Sequence, residues 1–194
     1  MSLRSVVASI TVMLLSACAL GSGGGVVLTH NQISTSYYGA ELGYAAAKGG
    51  MPTAVFGNPF AVDKAAFDRV VTDAMYRKNP GIAVRFSTQI DDPQRWLYRV
   101  IMYFDPPVGI SGHTACDPNA TLQSVAQKGD RLVLLAALCR GNRSLSEIRG
   151  TTSRGSGPND PNFRLLITQV VLNMFPTRNP NLDTECRQSV LLCT

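Results

Sequence analysis

The first seventeen residues constrain the chain most, because they decide the compartment in which it folds. Arg4 precedes a largely apolar run at residues 6–15. A helix needs about 20 apolar residues to span a bilayer, so this run is too short to cross one. A short positive segment followed by such a run is typical of a secretory signal peptide. The sequence therefore predicts export into an environment where disulfides persist.

The next motif concerns attachment to a membrane. Leu15-Ser16-Ala17-Cys18 follows the apolar run directly and resembles the lipobox of bacterial lipoproteins at every position. The resemblance implies that residues 1–17 are removed as a signal peptide and that a diacylglycerol anchors Cys18 to a membrane on the periplasmic side. Ala19, rather than an aspartate, implies the outer membrane by the sorting pattern of enteric bacteria. Ala17-Cys18-Ala19 also fits ordinary secretory cleavage after Ala19, which would release a soluble periplasmic protein.

The mature chain is predicted to divide at residue 36. Residues 18–36 include Gly21-Ser22-Gly23-Gly24-Gly25 and show no sustained hydrophobic period, which predicts a lipidated flexible tether containing a solvated His30. The length of residues 37–194 is typical of a single domain. The 45% hydrophobic and 16% charged content favours a globular chain over a disordered one.

Hydrophobic periodicity predicts two principal helices and several strands. Residues 63–77 and the segment after Asp160 carry apolar faces at helical spacing, with Asp63 and Asp160 as N-caps and Pro161 at the first helical position. A shorter helix is predicted at 38–48 and one or two helical turns at 121–127. Strands are predicted at 53–56, 82–87, 96–104, 131–139 and 143–152.

The order of these elements predicts the fold class. Strands that follow one another without long helices favour an α+β domain: a mainly antiparallel sheet of about four or five strands with two principal helices packed on one face. Residues 96–104 are apolar on both faces, which indicates a central strand. Residues 143–152 follow a turn at Gly141-Asn142 and are predicted to return as an edge strand.

The five cysteines form an odd set. With Cys18 assigned to lipid, Cys116, Cys139, Cys186 and Cys193 remain, and four cysteines allow three connectivities. Proximity in the sequence favours Cys116–Cys139 and Cys186–Cys193. Because there is neither a Cys-x-x-Cys motif nor a Cys/His ligand cluster, we expect structural disulfides, with no metal and no cofactor.

Candidate chemistry is confined to the predicted loop at 106–119, which contains Ser111, His113 and Asp117. These three residue types suit a hydrolase triad, but neighbours on one loop rarely converge as a triad requires. The Gly-x-Ser-x-Gly elbow is also absent, since His113 stands where its second glycine belongs. We therefore predict no catalytic residue and regard these three residues as a candidate binding loop.

These features predict a non-catalytic interaction or envelope-assembly module with an envelope protein as its partner. The alternative is a binding module for a small ligand or glycan that uses the 106–119 loop and nearby aromatics such as Trp96; an enzyme ranks third. The formal charge of +5 is small and no Lys/Arg run occurs, so no nucleic-acid partner is expected. Residues 37–194 resemble uncharacterised proteobacterial periplasmic lipoproteins.

Overall fold

The structure, a computed structural model, describes residues 25–90, 97–125 and 129–182. Its elements, in chain order, are β1 (Val27–Ile33), α1 (Ala40–Ala47), β2 (Met51–Phe56), α2 (Lys64–Met75), β3 (Phe86–Ser87), β4 (Tyr98–Phe104), α3 (Gly112–Cys116), β5 (Arg131–Arg140), β6 (Arg143–Ser153) and α4 (Pro161–Met174). Residues 180–182 form a further helical turn. Within the described ranges, no helix combines the length and apolar character that crossing a membrane requires.

The predicted α+β class is confirmed, but the sheet differs from the prediction in size and direction. It has six strands in the order β1-β6-β5-β4-β2-β3. The neighbouring strands β1, β6, β5 and β4 pair antiparallel, whereas β2 is parallel to both β4 and β3. The sheet is therefore mixed, because α2 carries the chain from the end of β2 back to the start of β3, and such a crossover joins parallel strands.

The prediction of a flexible tether at residues 18–36 is wrong for residues 27–33, which form strand β1. Val27 pairs with Thr151 and Ile33 with Ser146, so β1 is an antiparallel neighbour of β6. Most residues of β1 are exposed and only Ile33 is fully buried, so no alternating apolar face signals a strand. Because β1 covers β6, the prediction that 143–152 is an edge strand is also wrong. Any tether ends at or before residue 26.

The two principal helices are confirmed together with their N-caps. Asp63 Oδ1 accepts a hydrogen bond from the Ala66 amide at 2.8 Å, and Asp160 Oδ1 accepts one from the Asn162 amide at 2.8 Å. Each cap satisfies a backbone donor that has no partner within its helix. The predicted strand at 82–87 shortens to β3, and residues 121–125 of the predicted helical turns are irregular.

One face of the sheet carries both principal helices, as predicted. The ring of Phe104 on β4 lies 5.1 Å from Phe67 of α2 and 5.6 Å from Phe163 of α4, centroid to centroid, and the two helix rings are 5.9 Å apart. All three side chains are buried. Leu42 and Ala45 of α1 belong to the same apolar cluster. The large core therefore lies between this face and α1, α2 and α4.

The opposite face is covered by α3 and the loops around it. A smaller apolar cluster forms there from Ile101, Tyr103, Ala115, Cys116, Leu135, Ala137 and Cys139. The favoured Cys116–Cys139 disulfide is confirmed, with 5.5 Å between the two Cα atoms, and it ties α3 to β5. Cys18, Cys186 and Cys193 lie outside the described residues, as does Trp96.

Candidate functional site

The segment predicted as a loop at 106–119 contains the short helix α3, with Ser111 as its N-cap and His113 within it. The C-terminal end of this helix is fixed to the sheet. Beside the disulfide, the guanidinium of Arg99 on β4 donates to the carbonyl oxygens of Cys116 and Gly141. Arg99 is 9% exposed, and burial lowers its pKa. A cation held among backbone carbonyls links the end of α3 to the β5–β6 turn, so both move as one unit.

Strand β6 fixes the start of α3 through two charged side chains. Glu147 Oε2 accepts a hydrogen bond from the Gly112 amide at 2.7 Å, and Arg149 Nη2 donates to the carbonyl oxygen of Ile110 at 2.6 Å. A Cβ on Gly112 would lie 2.9 Å from both Glu147 Oε2 and Ser144 Oγ, so a larger residue would force these side chains to move and would disturb the bond from Glu147. The position of α3 is therefore determined at both ends.

A pocket of about 410 Å³ lies between α3, the C-terminal end of β1 and the N-terminal end of β6. We call it the α3 pocket. It is lined by Gln32, Ser34, Ser36, Ser111, His113, Arg143, Ser144, Leu145 and Glu147. Ser111 and His113 thus share a pocket, as residues of one predicted binding loop. Asp117 does not line it: this side chain is exposed, and its Oδ1 accepts from the Asn119 amide at 2.9 Å.

The geometry of this pocket supplies no activated serine. Ser111 Oγ accepts a hydrogen bond from the Thr114 amide at 3.2 Å and so caps α3. In the described part of the chain, no hydrogen bond joins His113 to Ser111 or to Glu147, and no cluster of three or more His, Cys, Asp or Glu side chains is placed to hold a metal ion. A triad needs the serine, the imidazole and the carboxylate in series.

The polar groups of the α3 pocket can form several hydrogen bonds with a bound molecule. The hydroxyls of Ser34, Ser36 and Ser111 and the Gln32 amide can donate and accept hydrogen bonds. Ser144 Oγ donates to the Ser146 carbonyl at 3.1 Å and can still accept a hydrogen bond. Glu147 and Arg143 add one charge of each sign, and Leu145 supplies an apolar contact. His30 also lies close, with its Nε2 3.8 Å from Glu147 Oε1. Both histidines of the chain therefore stand next to the same carboxylate-bearing pocket.

Sequence reasoning identified Ser111 and His113 but missed Glu147 and the residues of β1. Glu147 is 8% exposed although it stands in a strand, and a charged residue at such a position is a signal of a polar site or of a structural hydrogen bond. Gln32 and Ser34 were missed for a different reason. They reach the pocket only because β1 pairs with β6, and β1 has no apolar periodicity of its own.

A second cavity, of about 460 Å³, lies where β2 and β4 end side by side, and its lining includes Asn58, Asp105, Ser124 and Arg154. The two charges there are engaged with each other, since Arg154 Nη2 donates to Asp105 Oδ2 at 2.7 Å. Arg154 Nη2 also donates to the Arg131 carbonyl at 2.9 Å. These contacts hold together the strand ends, so this cavity is built around a structural ion pair.

Comparisons with protein-family models, with curated proteins and with solved structures gave no match to this chain.

Proposed function

We propose that the protein is a lipid-anchored periplasmic domain that binds a small polar ligand, with a glycan as the best candidate, in the α3 pocket. The observation that carries this proposal is the pocket itself, a concave site lined by hydroxyl, amide and charged groups on a firmly held α3. Concave sites with a few convergent polar groups are where proteins bind small molecules.

The chemistry of the lining favours a ligand with many hydroxyl groups. A sugar presents donors and acceptors on every side, which matches Ser34, Ser36, Ser111 and Ser144 around one opening. The disulfide and the bonds from Arg99, Glu147 and Arg149 order α3 before a ligand arrives. Less conformational entropy is then lost on binding.

The anchor in this proposal rests on Cys18 and its lipobox. Two or three acyl chains are needed for stable attachment, since each buried CH₂ contributes about 0.8 kcal/mol and a single chain binds only marginally. Ala19 supports the outer membrane as the location. The protein is thus proposed to be held at the periplasmic face of that membrane, with no catalytic step of its own.

A second candidate is the interaction with an envelope protein. One observation favours it: large apolar side chains are exposed around α1, with Tyr38 at 72%, Ile82 at 59% and Tyr44 at 39% exposure. An ideal Cβ on Gly43 would lie 4.0 Å from Ile82 Cδ1, so Ile82 packs beside α1. Exposed apolar side chains gathered in one area are typical of protein-binding surfaces.

Ligand binding is tested with the purified full-length protein in detergent, screened on a glycan array and followed by calorimetric titration of each bound glycan. We expect binding by the wild type and an affinity loss of about tenfold in His113→Ala and in Arg143→Ala, because a hydrogen bond contributes about 1–1.5 kcal/mol. Both side chains are exposed, so their removal should leave the fold intact.

Asp117→Asn is the matched control, since Asp117 follows the same helix but does not line the α3 pocket. It should bind like the wild type. Absence of binding to any glycan, or an equal loss of affinity in Asp117→Asn, would contradict the glycan proposal. Loss of an envelope partner in Tyr38→Ser or Ile82→Ser, with no glycan bound, would favour the second candidate.

A further inference from the structure

The first residues of strand β1 follow the proposed anchor at Cys18, and its last residues lie at the α3 pocket, at the opposite end of the strands. Val27, its first residue, pairs with Thr151 near the end of β6. Just beyond its last residue, the Ser34 amide donates to the Leu145 carbonyl at 2.8 Å, near the start of β6, and Ser34 lines the pocket. Seven residues at about 3.3 Å each place the two ends of this path about 23 Å apart.

The chain between Cys18 and Val27 is short. Nine peptide units separate the two Cα atoms, and they reach at most about 30 Å whatever conformation they adopt. The tether is shorter than the sequence predicted, because residues 27–33 belong to the sheet. The anchor therefore holds one particular end of the domain close to the membrane.

That end of the domain carries exposed apolar side chains. The Val125 amide donates to the Asp105 carbonyl just past β4, and Val62 follows β2 before α2 begins. Leu165 lies in the first turns of α4, whose Asn162 contacts Ser153 at the end of β6. Their exposures are 49% for Val125, 37% for Val62 and 43% for Leu165, with 54% for Val27. We call these four residues the anchor-side surface.

The charged side chains at this end of the domain do not disfavour contact with a membrane. Among the described residues that adjoin the anchor-side surface along the chain, the ionisable side chains are of both signs, apart from the paired Asp105 and Arg154. They are Lys64, Arg131 and Arg164 on the basic side and Asp63, Asp130 and Asp160 on the acidic side. A surface with exposed apolar side chains and charges of both signs suits the interface of a bilayer.

We infer that the anchor-side surface rests on the bilayer and that the α3 pocket opens away from it, toward a ligand on the periplasmic side and not toward headgroups of the anchoring leaflet. This inference rests on the proposed lipidation of Cys18. Turning the pocket toward the bilayer would force the tether to run about 23 Å back along β1, most of its maximum reach of about 30 Å. A flexible chain of nine units has a mean end separation of about 16 Å, so holding it at about 23 Å costs conformational entropy.

The orientation is tested on lipidated protein purified from membranes and reconstituted in vesicles of phosphatidylethanolamine and phosphatidylglycerol with nitroxide-labelled headgroups. A fluorescent amino acid replaces either Asp130, beside the anchor-side surface, or Asn142, in the β5–β6 turn at the pocket end; both are exposed. We expect several-fold stronger quenching at position 130. Equal quenching, or stronger quenching at position 142, would overturn the inference.

Further controls distinguish a failure of the proposed orientation from a failure of the proposed lipid anchor. Protein that does not float with the vesicles lacks a lipid, and that result counts against the proposed anchoring before any quenching is measured. Insertion of about 20 Gly/Ser residues between Gly24 and Gly25 adds a mean reach of about 25 Å and should reduce the difference between positions 130 and 142. The difference should persist in vesicles without phosphatidylglycerol, and its loss there would also overturn the inference.

Discussion

Replacement of Cys116 and Cys139 by alanine is expected to lower the free energy of unfolding by about 3 kcal/mol. The bridge joins residues 23 positions apart, and closing a loop of this length removes about that much conformational entropy from the unfolded chain. Both cysteines are fully buried in the smaller apolar cluster, so the lost sulfur contacts act in the same direction. Urea denaturation at equilibrium measures the change.

The comparison with reduced wild type separates the bridge from the packing of the side chains. Reduction, carried out in a Cys186→Ser/Cys193→Ser background so that only this bond is affected, breaks the Cys116–Cys139 bond but leaves both sulfur atoms in place, so it should reproduce most of the loss. The reduced protein also bears on the pocket, because the disulfide is one of the bonds that hold α3 on the sheet. A change below about 1 kcal/mol in the alanine variant would mean that α3 is held mainly by Arg99, Glu147 and Arg149.

Arg154→Met is expected to cost about 3–5 kcal/mol of stability, because it leaves the carboxylate of Asp105 buried without its counterion. The Asp105 and Arg154 side chains are 6% and 19% exposed, and their charged atoms are 2.7 Å apart. Asp105 Oδ1 also accepts from the Val133 amide at 3.2 Å, so the carboxylate cannot easily turn to solvent. Thermal and urea denaturation report the loss.

The matched control is Lys64→Met, which removes the partner of Asp68 in an ion pair whose lysine is 51% exposed. Asp68 is 17% exposed and Lys64 Nζ also donates to the Val55 carbonyl at 3.0 Å, so this variant should lose about 1–2 kcal/mol, clearly less than Arg154→Met. The double variant Asp105→Asn/Arg154→Met should recover part of the loss, since no buried charge is then unpaired. An Arg154→Met variant as stable as Lys64→Met would contradict the structural role of this ion pair.

Elements with a strong apolar pattern were predictable, and elements formed by pairing alone were not. The helix at 63–77 and the strand at 96–104 bury one or both faces, and α2 and β4 occupy those segments. Strand β1 buries little except Ile33, and its hydrogen bonds to β6 carry no local signal. The parallel pairing of β2 likewise depends on where α2 returns the chain, which no single segment encodes.

The candidate site was likewise predictable only where its residues are close in the sequence. Ser111 and His113 are neighbours in the sequence, at the N-cap of α3 and within it, so their proximity could be predicted. Glu147 comes from β6 and Gln32 from β1, and they meet that loop only through the sheet and the bridge to Cys139. A pocket assembled from three distant segments depends on tertiary pairing that the sequence alone does not display.

The central claim, that Cys18 carries the anchor, is tested most directly by labelling cells with radioactive palmitate and comparing wild type with Cys18→Ser. We predict a labelled wild-type protein of mature size in the outer-membrane fraction. Cys18→Ser should be unlabelled and unprocessed, because the proposed signal peptidase requires the modified cysteine. If the wild type is unlabelled and Cys18→Ser is processed and fractionates as the wild type does, the anchor is contradicted. A mature chain beginning at Leu20 would then identify ordinary secretory cleavage.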